Sequence, residues 1–160
     1  MELLIADVPN ASNVYEGANM TADDCCTWKG IACTDGIVQR ISWAFQFAPA
    51  SVLMHLRYVP ARVTEPIMLA NGMRETVEMT SLPRELRPLN LGINWFHDSV
   101  PLGEMAFSIV TFSMQRNALS GSIDLQGLPP TVQSLALVDQ LDYASSNAEC
   151  TRRIQQYALW

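Results

Sequence analysis

The stretch "LPRELRPLNLGINWFHDSVPLGE", Leu82 to Glu104, is followed directly by "MAFSIVTFSMQRNALSGSIDLQG", Met105 to Gly127, with apolar residues at matching positions. Both stretches carry an asparagine at the same place, Asn94 in the first and Asn117 in the second. The two asparagines lie 23 residues apart (117 − 94). Self-similarity at a fixed period of this size is typical of proteins built from stacked repeats.

The same 23-residue unit extends in both directions. The preceding row, 59–81, places Asn71 in the asparagine column, and a further row begins at Leu128. A weaker row covers 36–58, where Trp43 and Phe45 fall in apolar columns and are expected to face inward. We therefore predict about five repeats over residues 36–140.

The shared columns read L-x-x-L-x-x-L-x-L-x-x-N-x-L, a pattern that resembles the leucine-rich repeat. The alternation in L-x-L fits a short strand with every second side chain facing the core, and the ladder Asn71, Asn94 and Asn117 can bond backbone groups at the turn. The resemblance implies an α/β-type, β-rich solenoid: a right-handed superhelix with a parallel concave sheet. Short convex strands are expected at "TVEM" (76–79) and "SVPL" (99–102).

One row departs from the apolar pattern. Pro66 occupies a strand column, and a one-residue shift that turns Ile67 and Leu69 inward is an alternative there. The "LSGSI" stretch, Leu119 to Ile123, resembles the plant-type extracellular class of repeat. Its continuation resembles leucine-rich-repeat proteins of protists, notably trypanosomatids.

The segment before the repeats resembles the cysteine cap of plant-type arrays. "CTWKGIAC", Cys26 to Cys33, carries the resemblance. It implies a cap over 1–35 in which Cys26 and Cys33 form a disulfide and Trp28 covers the open end of the first repeat. The residues alone leave reduced cysteines, a zinc site and a redox dithiol as alternatives. Four short-spaced zinc ligands and a C-x-x-C motif are absent, which disfavours the last two, and Cys25 and Cys150 have no assigned partner.

The repeat pattern ends near residue 140. Gln140 stands where the next asparagine is expected, and no repeat follows Leu141. Residues 141–160 include "NAECTRRIQQYALW", with Asn147 as an N-cap candidate. We predict a short C-terminal helical tail or a truncated cap for this segment.

Composition excludes several classes of function. The 160 residues carry a net charge of −6, and Lys29 is the single lysine, so no basic face for nucleic acid is expected. No apolar run reaches the roughly 18 residues that span a membrane, and no catalytic, phosphate-binding or metal motif occurs. His97 and Asp98 are adjacent, and we expect their side chains on different faces. The sequence predicts a protein that is not an enzyme and has no metal or cofactor.

Localisation depends on what precedes the chain. The start, "MELLIADVPNASN", has too short an apolar run for a signal peptide. We expect an extracellular or cell-surface protein if a leader is missing from this fragment, and a cytoplasmic one otherwise. Asn10 and Asn19 lie in "NAS" and "NMT" sequons and are candidate glycosylation acceptors.

In this architecture, the residues between and beside the strand leucines line the concave face. They are small, apolar or mildly polar, which suits a protein or peptide ligand better than a polyanion. We predict non-catalytic recognition of such a partner; the alternative is a structural or presentation repeat of a larger surface protein with no ligand of its own. The candidate face comprises Ser42, Ala44, Gln46, Glu65, Ile67, Leu69, Arg87, Asn90, Gly92, Thr111, Ser113, Gln115, Arg116, Ser134, Ala136 and Val138.

Overall fold

The computed structural model describes residues 1–15, 24–47, 52–120 and 123–137. Within these ranges the chain forms short strands and single 3-10 turns. The strands are β1 (Ile31–Thr34), β2 (Ile37–Ser42), β3 (Glu65–Ile67), β4 (Pro88–Asn90), β5 (His97–Asp98), β6 (Thr111–Ser113), β7 (Ala118–Leu119) and β8 (Ser134–Ala136). The 3-10 turns are Glu2–Leu4, Ala11–Val14, Cys25–Thr27, Leu56–Tyr58, Met79–Ser81, Leu102–Glu104 and Leu125–Gly127.

The main sheet has the strand order β1-β2-β3-β4-β6-β8. β1 and β2 form an antiparallel hairpin, and every later pair in this sheet is parallel. Pro88 pairs with Thr111, and Thr111 pairs with Ser134, so successive strands recur every 23 residues (111 − 88 and 134 − 111). The result is the β-rich, mostly parallel arrangement that the repeat pattern predicted.

Alternate residues of each strand supply the core. Leu89 and Leu91 flank the outward residue of β4, while Phe112 and Met114 do the same in β6, and all four side chains are 0–2% exposed. Burying these side chains stabilises the fold by about 2 kcal/mol each. Because a single row exposes its apolar side, this gain requires that neighbouring rows stack.

Pro66 keeps the inward position of β3. It pairs with Ile41 of β2, and both Pro66 and Met68 are buried. Proline has no N–H to donate, but the pairing continues on either side of it, since the Met68 N–H donates to the Asn90 carbonyl at 3.0 Å. The alternative with Ile67 shifted inward is therefore wrong: Ile67 stays on the outer face, half-buried.

The first repeat is two residues longer than the others. Arg40 pairs with Glu65, which is 25 residues away (65 − 40), where the sequence pattern used 23. The longer spacing moves Phe45 out of the apolar column, and its side chain is 65% exposed, whereas Trp43 and Phe47 are buried. The prediction that Phe45 faces inward is wrong, because Trp43 and Phe47 fill the core positions.

The second strand of each repeat begins earlier than the sequence suggested. β5 and β7 pair in parallel just after the asparagine column, and Val52 forms an isolated parallel bridge with Met73. The "TVEM" and "SVPL" stretches instead run into 3-10 turns that start at Met79 and Leu102. The placement of convex strands on those stretches is therefore wrong.

The buried asparagines join each repeat to the one before it. Asn94 Oδ1 accepts hydrogen bonds from the N–H groups of Asn71 (2.9 Å) and Met73 (3.1 Å). Its Nδ2 donates to the carbonyls of Met68, Leu91 and Gly92 at 2.9–3.1 Å. Asn71 and Asn117 occupy equivalent buried positions with similar bonds.

The N-terminal segment packs against the first repeat. Leu4, Val8 and Val14 are buried in the common core, and the Leu4 carbonyl accepts from the His55 N–H at 3.1 Å. The Asp7 carboxylate lies 2.7 Å from His55 Nε2. The predicted C-terminal tail, 141–160, and the break at Gln140 lie outside the described residues.

Candidate functional site

The outward side of the parallel sheet forms a continuous face. Its central column contains Ser42, Ile67, Asn90, Ser113 and Ala136, which the strand pairing brings into register. All five side chains are at least partly exposed and none carries a charge. A ligand on this column would meet small and apolar groups rather than ions.

The 25-residue first repeat rearranges the predicted face at its N-terminal edge. The 23-residue spacing aligns Ser42 with Glu65 and Ala44 with Ile67, but in the structure Ser42 pairs with Ile67 in the central column. Ala44 accordingly follows the strand instead of sitting at its centre, and it is exposed. The Gln46 N–H donates to Asn71 Oδ1 at 2.9 Å, so Gln46 lies at the turn and not on the face. Arg40 pairs with Glu65 and occupies the column that the 23-residue spacing gave to Ser42. The sequence pattern did not assign Arg40 to the face.

An ion pair closes this edge of the face. Arg40 Nε lies 2.9 Å from Glu65 Oε2, with both side chains about half exposed. The remaining members of that column are Pro88, Thr111 and Ser134, which are uncharged. The pair neutralises Glu65, and at this exposure it adds at most about 1 kcal/mol to stability.

Gly92 lies in the next column, beneath its neighbours. A Cβ at this position would come within 3.2 Å of Leu69 Cδ1 and 3.3 Å of Gln115 Cγ. Asn90 Oδ1 accepts from the Gly92 N–H at 3.0 Å, which fixes the Asn90 amide on the face. Leu69 and Gln115 thus close over the glycine, and the face has no gap here.

Arg87 and Arg116, which the sequence analysis included in the candidate face, are exposed at opposite ends of their strands. Arg87 immediately precedes β4, and Arg116 follows β6 with a left-handed backbone (φ 56°). Val138 lies outside the described residues.

The turn after the strands carries apolar surface that the sequence pattern missed. Phe45, which the sequence pattern placed in an apolar column, is 65% exposed, and Trp95, to which the pattern assigned no role, is 48% exposed. Phe45, Ile93 and Arg116 share positive φ values near 55°, which marks them as equivalent turn positions. This position, one residue before the asparagine column, is a signal that would have located Phe45, whereas Trp95 follows Asn94 and lies outside it.

The N-terminal cysteines form the expected bond. A disulfide joins Cys26 to Cys33, linking the turn Cys25–Thr27 to β1. Trp28 is 2% exposed, and its ring centroid lies 5.5 Å from that of Tyr15. Cys25 is a partly buried free thiol, and Cys150 lies outside the described residues.

The structure describes one of the two candidate glycosylation acceptors, Asn10. Asn10 is exposed, has a left-handed backbone (φ 60°) and precedes the turn Ala11–Val14. Its side chain makes no capping hydrogen bond to that turn. Asn19 lies outside the described residues.

A small polar cavity lies away from the sheet face. It has a volume of about 110 Å³ and is lined by His55, Arg57, Glu75 and Glu78, together with nearby hydroxyl groups. Burial raises the pKa of Glu75, against the opposing effects of His55, the Met54 N–H and Arg57. Glu75 Oε1 is buried with no hydrogen-bond partner among the described residues.

His97 and Asp98 meet in the structure, contrary to expectation. His97 Nδ1 lies 2.9 Å from Asp98 Oδ2, because Asp98 adopts a left-handed backbone (φ 64°) that brings consecutive side chains together. Both side chains are exposed. Over the described ranges there is no cluster of three or more His, Cys, Asp or Glu side chains that could hold a metal ion, and no helix long and apolar enough to cross a membrane.

No protein-family model matches the chain, and no curated protein is significantly similar to it. Solved structures do resemble it. One is the LRR ectodomain of the plant membrane receptor kinase GASSHO1/SCHENGEN3 from Arabidopsis thaliana in complex with CASPARIAN STRIP INTEGRITY FACTOR 2, with a TM-score of 0.57 at 17% sequence identity. The match covers 88% of this chain and 21% of that one.

A second similar structure is the Arabidopsis receptor kinase HAESA LRR ectodomain with an N-terminal extended IDA peptide hormone ligand. Its TM-score is 0.38 at 14% identity, over 88% of this chain and 34% of that one. A TM-score at this level carries no argument about the fold. The first similarity, with the mostly parallel sheet and the asparagine ladder, supports a fold like that of leucine-rich-repeat proteins. The chain spans about a fifth to a third of the length of these ectodomains.

Proposed function

We propose that this chain is a non-catalytic recognition domain that binds a protein or peptide across the outward face of its parallel sheet. The observation that carries the proposal is the uncharged central column, which runs from Ser42 to Ala136 across five strands. Five strands about 4.8 Å apart span roughly 19 Å. That width suits an extended segment of six or so residues.

The chemistry of the face favours a polypeptide. Ile67 and Leu69 offer apolar contact, while Asn90 and Ser113 offer hydrogen-bonding groups on neighbouring strands. Interfaces that bind proteins combine such groups and are poor in charge at their centre. The GASSHO1/SCHENGEN3 ectodomain, which shares the fold, is in complex with CASPARIAN STRIP INTEGRITY FACTOR 2.

We further propose a right-handed superhelix with three parts: a cap over 1–35, about five repeats over 36–140 and a C-terminal tail over 141–160. The buried Trp28, tied down beside the Cys26–Cys33 bond, supports the cap. A disulfide in a short segment supports an oxidising, extracellular or cell-surface location. Alkylation without reductant, followed by peptide mass mapping, should then label Cys25 and leave Cys26 and Cys33 unlabelled.

Selection of peptides tests the recognition function. The immobilised chain is used to enrich a displayed library of random twelve-residue peptides, and enriched sequences are measured against variants. Ser113→Arg, at the centre of the face, should weaken binding by at least about tenfold, because it places a large charge where none is present. Thr80→Arg adds the same charge at an exposed turn away from the sheet and should leave binding unchanged.

Two results would argue against recognition through this face. Enriched peptides that bind Ser113→Arg as tightly as the parent chain would place the ligand elsewhere. Failure to enrich any peptide or protein ligand would favour the alternative, a structural or presentation segment of a larger surface protein.

A further inference from the structure

The small polar cavity lies between the first and second repeats. The first repeat lines it with His55, Leu56 and Arg57, and the second repeat lines it with side chains between Glu75 and Ser81. The parallel bridge between Val52 and Met73 joins the two repeats a few residues before these walls. Paired backbone therefore holds the two sides of the cavity together.

The cavity has an exposed rim and a buried apolar side. Arg57, Thr76 and Glu78 are exposed, whereas Leu56 is buried. A ligand can therefore enter past the rim residues without opening the hydrophobic core.

The polar groups that remain free in the cavity are mainly hydrogen-bond acceptors. Glu75 Oε1 is buried and has no partner among the described residues, and neither Glu75 nor Glu78 forms an ion pair within that part of the chain. The Ser81 hydroxyl donates to the Glu78 carbonyl at 2.8 Å, which leaves the hydroxyl oxygen to accept. Because buried polar groups in proteins generally have a partner, this set of acceptors favours a ligand that donates.

The two basic side chains that line the cavity interact with other residues. His55 Nε2 lies 2.7 Å from a carboxylate oxygen of Asp7, and Arg57 Cζ lies 5.1 Å from the centroid of the Tyr58 ring. Burial raises the pKa of Glu75 against the opposing effects of His55 and Arg57. The chain's own basic groups therefore do not offset the burial of the Glu75 carboxylate.

The volume of the cavity suits a small planar cation. A cavity of about 150 Å³ holds one benzene ring, so about 110 Å³ has room for roughly four non-hydrogen atoms. A guanidinium group has that size, is always charged and carries several N–H donors in one plane. The chain's net charge of −6 also attracts cations.

We propose that the polar cavity binds a guanidinium group, whose N–H donors meet the carboxylates of Glu75 and Glu78 and the hydroxyl oxygen of Ser81. The proposal does not depend on the proposed function, because the cavity lies away from the sheet face. The guanidinium group has two possible sources, a free small molecule and an arginine side chain of a partner protein, and the same chemistry binds both.

The probe is methylguanidinium, titrated to millimolar concentrations into the ¹⁵N-labelled chain and followed by NMR. The amide signals of Glu75, Thr76 and Glu78 should shift in a saturable manner. Urea has a similar planar shape without the charge, and tetramethylammonium has the charge without N–H donors. Each should bind at least about tenfold more weakly than methylguanidinium, since hydrogen bonds between charged groups are the strong ones.

Acetyl-arginine-amide identifies the source of the group. Binding as tight as that of methylguanidinium would assign the cavity to an arginine side chain. Binding at least about tenfold weaker would assign the cavity to a free small molecule, because the backbone attached to the side chain would then obstruct entry.

Variants of the acidic residues test the contacts. Glu75→Gln should weaken the binding of methylguanidinium by about tenfold, and Glu78→Gln, which changes an exposed carboxylate, by about threefold. Glu104→Gln is the matched control. Glu104 is exposed, forms no ion pair with the residues that the structure describes and belongs to the turn Leu102–Glu104 of the next repeat, so this variant should bind as the parent chain does.

Three results would overturn the proposal. Equal shifts with methylguanidinium and tetramethylammonium would reduce the effect to a general attraction of cations. Saturable shifts with acetate but not with methylguanidinium would assign the cavity to anions, through Arg57 and His55. Unchanged binding in both Glu75→Gln and Glu78→Gln would place the cation elsewhere, and the comparison of probes on the parent chain decides the matter even if a variant fails to fold.

Discussion

Replacing Asn94 with alanine is expected to lower the free energy of unfolding by about 4 kcal/mol. The change removes the acceptor for two buried N–H groups, those of Asn71 and Met73, at 2.9 and 3.1 Å. It also removes the donor to three carbonyls, including that of Met68 in the preceding repeat. Each buried donor left unpaired costs about 1–3 kcal/mol, which is a large share of a typical domain's stability.

Urea unfolding followed by circular dichroism measures this loss. Asn90→Ala is the matched control, because Asn90 is half-exposed and its side chain accepts one bond, from the Gly92 N–H. We expect the control to cost no more than about 1 kcal/mol. Hydrogen exchange gives a second measurement, in which the Asn71 and Met73 amides should lose protection in Asn94→Ala and retain it in Asn90→Ala.

The ladder interpretation is refuted if the two variants lose the same amount of stability. It is equally refuted if the Met73 amide keeps its protection without the Asn94 side chain. Asn117→Ala provides an internal scale, since Asn117 Oδ1 accepts from one N–H group, that of Phe96. Its loss should therefore be about half that of Asn94→Ala.

Three further predictions concern other parts of the fold. Burial raises the pKa of Glu75 above its ordinary 4.5. The stability that the bound proton of Glu75 provides is therefore fully present below the ordinary pKa and is lost as the pH rises through the raised pKa. Glu75→Gln should gain stability relative to the parent chain as the pH rises, when urea unfolding is repeated from about pH 4 to about pH 8. Gly30→Ala should lower the melting temperature far more than Gly36→Ala, although both residues have positive φ, because a Cβ at Gly30 would lie 2.4 Å from a β2 carbonyl and one at Gly36 would meet nothing within 4 Å. Replacing Cys26 and Cys33 together by serine should cost about 2 kcal/mol in chemical unfolding, the value for so short a loop, and an unchanged midpoint would show that the bond does not constrain the unfolded chain.

Much of the fold could be predicted because similar residues recur at a fixed spacing along the sequence. Asn71, Asn94 and Asn117 recur at one spacing, and the structure buries all three. The longer first repeat could not be predicted in the same way. Trp43, Phe45 and Phe47 alternate along the chain, so either register places two aromatic residues inward, and packing alone selects Trp43 and Phe47.

The candidate site was predicted less completely than the fold. A column identifies which residues point outward, and this located Asn90 and Ser113 on the sheet face. It does not identify turn residues, whose exposure depends on backbone conformation, and so Trp95 was missed. His97 and Asp98 show the same effect, since a single left-handed residue brought together side chains that simple alternation separates.

The asparagine ladder has a direction, which matters while the chain is being made. Asn71 Oδ1 accepts from backbone groups of the first repeat, Asn94 Oδ1 from the second and Asn117 Oδ1 from the third. Each repeat therefore leaves the ribosome with N–H groups that only the next repeat can satisfy. At about 5–20 residues per second, a 23-residue repeat waits roughly one to five seconds for its successor. Translation pauses inside the array would prolong that interval, and the newest repeat would be the one exposed to chaperones and proteases.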